Sequence, residues 1–367
     1  MTGSTTGTAP SVPGGQRGAV LIVAEDAELL DDLLRLCVAA GATPEVCASP
    51  SEHRGAWDAA PLVLVGDDAA RRMRGAGRRR GVVLVGRDPD DAGVWQRAVE
   101  IGADHVLVLP DGERWLIDRI ADVCEGVGRP ARTVGVIGAR GGAGASTLAC
   151  ALAVTSARAN RRTVLVDADP LGGGLDVLLG GEATEGLRWP AFSASRGRVS
   201  GGALEASLPR LHGLRLLSWD RGDCLSVPAQ AVRAVLAAAR RGGGVVVVDL
   251  PRRVDDPVTE ILGQLDLALL VVPGELRAVA AGSRMASVLG PALRDLRVVS
   301  RGPYATGMDA GEVSRLLALP LAGEAPAEAG LPRAAEDGRP PAEAGRGALA
   351  RFCRDFWDRA SAEPAPV

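Results

Sequence analysis

Apolar positions along this chain fall in short runs, and between most of the runs the apolar residues recur at a spacing near 3.6. In the first third the runs are residues 21–24, 45–48, 62–65, 82–85 and 106–109. Short apolar runs alternating with helical patterns predict a small α/β sheet domain. Further along, runs at 134–137, 163–166, 214–218, 267–272 and 296–300 predict a second, larger sheet, with helices over 227–241 and 276–289. The segment Gly-Gly-Gly-Val-Val-Val-Val-Asp-Leu-Pro at 242–251 carries four consecutive valines, the pattern of a strand buried on both faces.

Around residues 125–130 the helical pattern stops in glycine and proline. The predicted organisation is a tail over 1–17, a first domain over 18–125, a linker over 126–132, a second domain over 133–360 and a tail over 361–367. Residues 1–16 are rich in Thr, Ser, Gly and Pro with no apolar core, which reads as a flexible tail rather than a signal peptide.

The chemistry concentrates in the stretch 134–180. An apolar run delivers Gly138-Ala-Arg-Gly-Gly-Ala-Gly-Ala-Ser-Thr147, which passes directly into an alanine-rich helical pattern. Glycines let backbone N–H groups converge on phosphate oxygens, and the helix adds its positive N-terminal end. The next run ends in Asp167-Ala-Asp169-Pro, and the valine run ends in Asp249. Acids at the carboxyl ends of parallel strands lie where such sheets bind ligands. Asp249 is placed there to hold a magnesium-bound water.

The usual loop closes with a lysine that reaches the β- and γ-phosphates. Here that position is Ala145, and all 42 basic residues are arginine. The stretch resembles the deviant phosphate loop of the MinD/ParA family, with Arg140 at the early signature lysine and Ala145 at the later one. Alanine followed by Ser-Thr resembles the CpaE/TadZ branch, and actinobacterial septum-site-determining proteins are similar over nearly the whole chain. The resemblance implies a P-loop NTPase domain with a mainly parallel sheet of the MinD/ParA (SIMIBI) type, binding ATP or ADP with magnesium through Arg140, Gly141, Gly142, Ala143, Gly144, Ala145, Ser146 and Thr147. It implies metal contacts from Ser146, Asp167 and Asp249, and water orientation by Asp169. The family often recognises adenine through an asparagine near Ser300. This chain's single asparagine is Asn160, which leaves backbone groups at 302–307 or near Pro332 for the base.

The first domain resembles a response-regulator receiver, a flavodoxin-like fold, because Glu25-Asp26 follows the first run and Gly102-Ala-Asp-His-Val-Leu-Val-Leu-Pro110 matches that family's closing strand. Gly66 stands at the phosphoacceptor position and Leu109 at the lysine position, with Asp67 and Asp68 immediately after the third strand. These departures make it a pseudo-receiver, a docking module that is not phosphorylated.

Composition narrows the function classes. The net charge of −3 argues against a globally basic nucleic-acid binder. The densest basic cluster, over 71–80, has no stacking aromatics and reads as a solvated loop. Six scattered cysteines without CxxC spacing read as reduced, mostly buried thiols of a cytoplasmic chain. Near the C-terminus Leu349, Phe352, Phe356 and Ala360 share one helical face. The polar face mixes Asp355 and Asp358 with arginines, which favours docking on the chain's own sheet over a membrane surface.

Arginine is not a conservative replacement where a point charge fits between phosphates. Losing one preorganised donor costs on the order of 10²–10³ in rate, so slow hydrolysis or none is expected. The resemblance implies nucleotide-linked homodimerisation. The work implied is septum-site determination or localisation of a Tad-type pilus or secretion apparatus, with a secretion ATPase or division-site protein as partner. Peripheral contact with the cytoplasmic face of the plasma membrane, at a pole or septum, is compatible with it. Two rival classes stay open: a nucleotide-independent scaffold with a degenerate loop, and an ATPase cycling on membrane or DNA.

Overall fold

The computed structural model describes residues 20–50, 53–73, 79–124, 130–195 and 198–362. The chain divides into two compact units, 1–128 and 129–367.

The first unit contains β1 (Val20–Val23), α1 (Ala27–Ala39), β2 (Glu45–Cys47), α2 (Arg54–Ala59), β3 (Leu62–Gly66), α3 (Asp67–Ala70), β4 (Val82–Gly86), α4 (Val94–Ile101), β5 (His105–Val108) and α5 (Glu113–Cys124). Its five strands pair in the order β2-β1-β3-β4-β5, and every pairing is parallel. The central strands are Val- and Leu-rich and fully buried because helices cover both faces of the sheet.

Asp67 and Asp68 form the first turn of α3. Asp67 pairs with Arg97 at 2.5 Å and with Arg71 at 2.9 Å. Asp68 accepts the Glu25 and Asp26 backbone N–H groups at 2.7 and 2.9 Å. Asp26 in turn caps α1, accepting from the Glu28 and Leu29 N–H groups. The acids of this unit hold its loops together. Of the basic cluster, Arg72 pairs with Glu25 at 2.8 Å and Arg79 lies over the Trp57 ring, while 74–78 lie outside the described residues.

The second unit opens with β6 (Arg132–Gly138), α6 (Ala145–Arg158), β7 (Thr163–Asp167), α7 (Leu175–Leu178), α8 (Gly201–Ser207), β8 (Arg210–Leu211) and β9 (Leu214–Leu217). It continues through α9 (Ala229–Arg241), β10 (Val245–Asp249), α10 (Asp256–Leu262), β11 (Leu267–Pro273), α11 (Leu276–Leu289) and β12 (Leu296–Arg301). The last elements are α12 (Ala310–Leu317), β13 (Leu321–Glu324), α13 (Leu331–Glu336) and α14 (Ala348–Ala362).

The strands run β13-β12-β11-β6-β10-β7-β9-β8, parallel except for the β8–β9 edge. In this register Asp249 lies beside both Val136 of β6 and Asp167 of β7. The two acids are therefore neighbours at the carboxyl end of the sheet, next to the strand that feeds the glycine loop.

Three expectations change in detail. The sheet extends past β12 through β13, and β8 closes the other edge antiparallel. Residues 361 and 362 belong to α14, and Arg132 already belongs to β6. The tail over 1–17 and most of the linker lie outside the described residues. The C-terminal helix docks inward, as its pattern predicted, but chiefly on α6. Leu349, Phe352, Phe356, Trp357 and Ala360 join one apolar cluster with Leu148–Val154 of α6. Among the described residues no helix is long and apolar enough to cross a membrane.

Candidate nucleotide-binding site

The loop after β6 owes its shape to glycine. Gly142 and Gly144 have φ of +72° and +93°, a region that side chains avoid. A methyl group at Gly138 would come within 2.9 Å of the Arg140 carbonyl. Gly144 is the cap position of α6, and no side chain bonds to the helix's first N–H groups. Those uncapped donors and the helix dipole are available to an anion.

The loop faces a cavity of about 480 Å³. Its walls carry Arg140 to Thr147 without a gap, together with Asp169 and Asp249. The far side is built by Leu331, Pro332 and Ala335 of α13, with Arg339 and Pro341 beyond it and Leu178 of α7. This segment approaches α7 closely: Gly180 has φ +63°, and a Cβ there would fall 2.3 Å from the Gly338 carbonyl oxygen. Of the two places considered for base recognition, Pro332 lines the cavity, and no residue of 302–307 is among its lining.

The acids divide into two kinds. Asp249 is 4% exposed, and the Ser146 hydroxyl lies beside it. Burial pushes its carboxyl up to about 7, the neighbouring Ser146 hydroxyl opposes this, and the nearby Asp167 and Asp169 charges add to it. Asp167, 2% exposed, accepts the Leu175 N–H at 3.0 Å on one oxygen and the Asp169 N–H at 3.1 Å on the other. Burial raises it to about 6 despite those two bonds. Its own carbonyl accepts the Trp189 indole N–H at 2.7 Å, and Trp189 is 2% exposed. Trp189 therefore braces the acidic strand from inside the core instead of presenting itself to a partner. Asp169 is half-buried, lines the cavity, and accepts the Leu171 N–H at 3.1 Å.

The structure thus gathers Ser146, Asp169 and Asp249 on one wall and sets Asp167 behind them. Arg140 bends away: its guanidinium pairs with Glu275 at 2.9 Å and donates to the Gly141 carbonyl at 3.0 Å. Both partners of that pair are well exposed, so the bond contributes little and is readily exchanged. Asn160 lies past the opposite end of α6.

Three further arginines, Arg252, Arg301 and Arg339, line the cavity. None was singled out from sequence. Two of them stand at or just past the carboxyl end of a parallel strand, β12 for Arg301 and β10 for Arg252. A basic residue at that place is the signal that could have found them.

Fold and site together define an α/β protein with a CheY-like N-terminal domain and a MinD/ParA-like P-loop domain. Residues 23–131 match the family described as Rv3660c-like, CheY-like N-terminal domain. The uncharacterized protein Rv3660c of Mycobacterium tuberculosis H37Rv is 41% identical over 305 residues, covering 81% of this chain and 85% of that protein. MT3760 of strain CDC 1551 of the same organism matches to the same extent. The chain belongs to this Rv3660c-like family.

Solved structures with the same fold include the MinC:MinD cell division protein complex of Aquifex aeolicus, at a TM-score of 0.55 and 20% identity, covering 65% of this chain and 98% of that chain. A ParA family ATPase from Chlorobium tepidum TLS gives a TM-score of 0.54 at 15% identity, covering 62% of this chain and 97% of that one.

Proposed function

We propose that this chain is a nucleotide-dependent positioning protein of the MinD/ParA kind, binding ATP or ADP with magnesium at the glycine loop. The observation that carries the reading is the pairing of an uncapped α6 N-terminus with a cavity walled by Ser146, Asp169 and Asp249. Backbone N–H groups would cradle the phosphates. Magnesium, when bound, supplies charge neutralisation between phosphate oxygens, and the adjacent hard oxygens of Ser146 and Asp249 suit it. Asp167 backs that pair from beneath, and Asp169 stands at the wall where a water would be oriented. With Ala145 in the lysine position, hydrolysis is slow or absent.

The nucleotide's work is to drive homodimerisation, with Arg140 released from Glu275 to meet the partner's phosphates. The cellular role that fits the resemblance to CpaE/TadZ and septum-site-determining proteins is placement: of a division site, or of a Tad-type pilus or secretion apparatus. Partners would then be a secretion ATPase or division-site proteins, with the pseudo-receiver as docking module. The names of the structural neighbours, a MinC:MinD cell division complex and a ParA family ATPase, agree with that class. The site of action is the cytoplasm or the inner face of the plasma membrane.

Equilibrium binding of a fluorescent ATP analogue with magnesium, followed together with sedimentation, tests this. Wild type should bind saturably and dimerise, and Asp249→Asn should bind about tenfold or more weakly with magnesium present. No binding at millimolar nucleotide sinks the proposal and leaves a scaffold built on an NTPase fold.

A further inference from the structure

The cavity at the glycine loop has no lysine, yet four arginines line it, and they are not equivalent. Arg140 is engaged by Glu275, and Arg339 by Asp337 at 2.7 Å. Arg252 is exposed at the exit of β10. Arg301 is half-buried, and among the described residues no carboxylate pairs with it.

Arg301 ends β12 and reaches across to the loop. Its Nη1 donates to the Ala143 carbonyl at 3.2 Å. A methyl group placed on Gly144 would lie 2.3 Å from that same nitrogen. The guanidinium therefore rests on the loop backbone at the residue before Ala145, where a Cβ would push it aside. One of its five N–H donors is spent on Ala143, which fixes the head group, and the others remain for oxyanions.

We propose that Arg301 is the phosphate-reading cation of this site in cis, taking over the charge that position 145 no longer supplies. The inference rests on the nucleotide reading above. A lysine at 145 would rise from the first turn of α6; the arginine arrives instead from β12, two strands away through β11. Ala145, Gly144 and Arg301 then form one local exchange: the small residue vacates the loop's centre, the glycine gives the guanidinium a seat, and the Ala143 carbonyl holds it. A forked, pre-anchored cation favours the oxygens of a di- or triphosphate over a nucleoside, because only a phosphate chain offers the charge-assisted bonds. The ligand class is a nucleoside polyphosphate.

The test is displacement of the fluorescent analogue by ATP, ADP, AMP, adenosine and inorganic tripolyphosphate on wild type, Arg301→Ala and Arg301→Lys. Arg301→Ala should weaken ATP and tripolyphosphate by about 10- to 100-fold while changing adenosine and AMP by less than about threefold. Arg301→Lys should recover part of the loss, since it restores charge without the fork. Thermal midpoints without ligand should match wild type. Unchanged ATP affinity in Arg301→Ala overturns the inference alone, and so do equal losses for every ligand, which mark a structural role. If the alanine variant does not fold, Arg301→Gln carries the test, and ATP affinity equal to wild type in Arg301→Gln overturns the inference. A wild type that binds none of the ligands overturns the nucleotide reading and the inference with it.

Discussion

Trp357→Ala is expected to cost the second unit about 3–5 kcal/mol of stability, read as a lower denaturant midpoint by circular dichroism. The side chain is 3% exposed, its indole N–H donates to the Leu152 carbonyl at 3.0 Å, and its ring meets Phe356 edge-on at 5.1 Å. Removing it opens a cavity against α6, a helix whose residues 148–156 are all buried and already packed. Trp357→Phe keeps most of the packing and loses the hydrogen bond, so about 1–2 kcal/mol is expected. The measurement separates two kinds of C-terminal helix. A helix that detaches to enter a lipid interface must cost little to release, and a loss within about 0.5 kcal/mol would identify that kind. Burial of seven residues along α14 predicts the opposite.

Asp249→Asn should stabilise the ligand-free protein at pH 8 by on the order of 2–4 kcal/mol, by about a third of that at pH 5, and hardly at all below about pH 4. The carboxyl titrates near 7 in the folded chain against 3.8 in the reference state, chiefly because it is buried. Between these values the folded state binds a proton that the unfolded state does not. The contribution of Asp249 to stability is therefore greatest below about 4 and is lost as pH rises through about 7. Asparagine removes the charge while keeping the side chain's size and one accepting oxygen. Exposed carboxylates held low by arginine, such as Glu260 and Glu312, are common to both proteins and cancel in the comparison. Urea titrations at the two pH values without magnesium decide it; equal differences at both would refute the assignment. Under the proposed function the same substitution should also weaken magnesium-dependent nucleotide binding, so one side chain would lose function while gaining stability, the pattern of a site that stores unfavourable charge for a ligand.

Much of this was legible in the chain. Strands buried on both faces leave uninterrupted aliphatic runs, so β3, β4, β7, β10 and β11 were located to within a residue or two. The loop and its acids were legible because glycine and aspartate there answer to backbone geometry and strand ends. The edges were not. β8 has two residues and β13 has four that are exposed or half-buried, so neither leaves an apolar run. The far wall of the cavity was legible only at Pro332, since α13 lies in a segment rich in Ala, Gly, Glu and Pro that leaves no apolar run. Arg301 is one arginine among many until the sheet order brings β12 near the loop. Trp189 shows the limit from the other side: nothing in the sequence around it marks it as buried, and only the fold reveals its hydrogen bond to the Asp167 carbonyl.

The placement of α6 has a mechanical consequence. Its first turn follows directly on the glycine loop, and its middle is gripped by Trp357 through Leu152. With 14 residues, the helix is a stiff rod roughly 21 Å long. A swing of roughly 5° about the loop would carry its far end by about 2 Å, and close packing would oblige α14 to travel with it. The C-terminal helix is thus the long arm of a lever whose short arm lies under the loop.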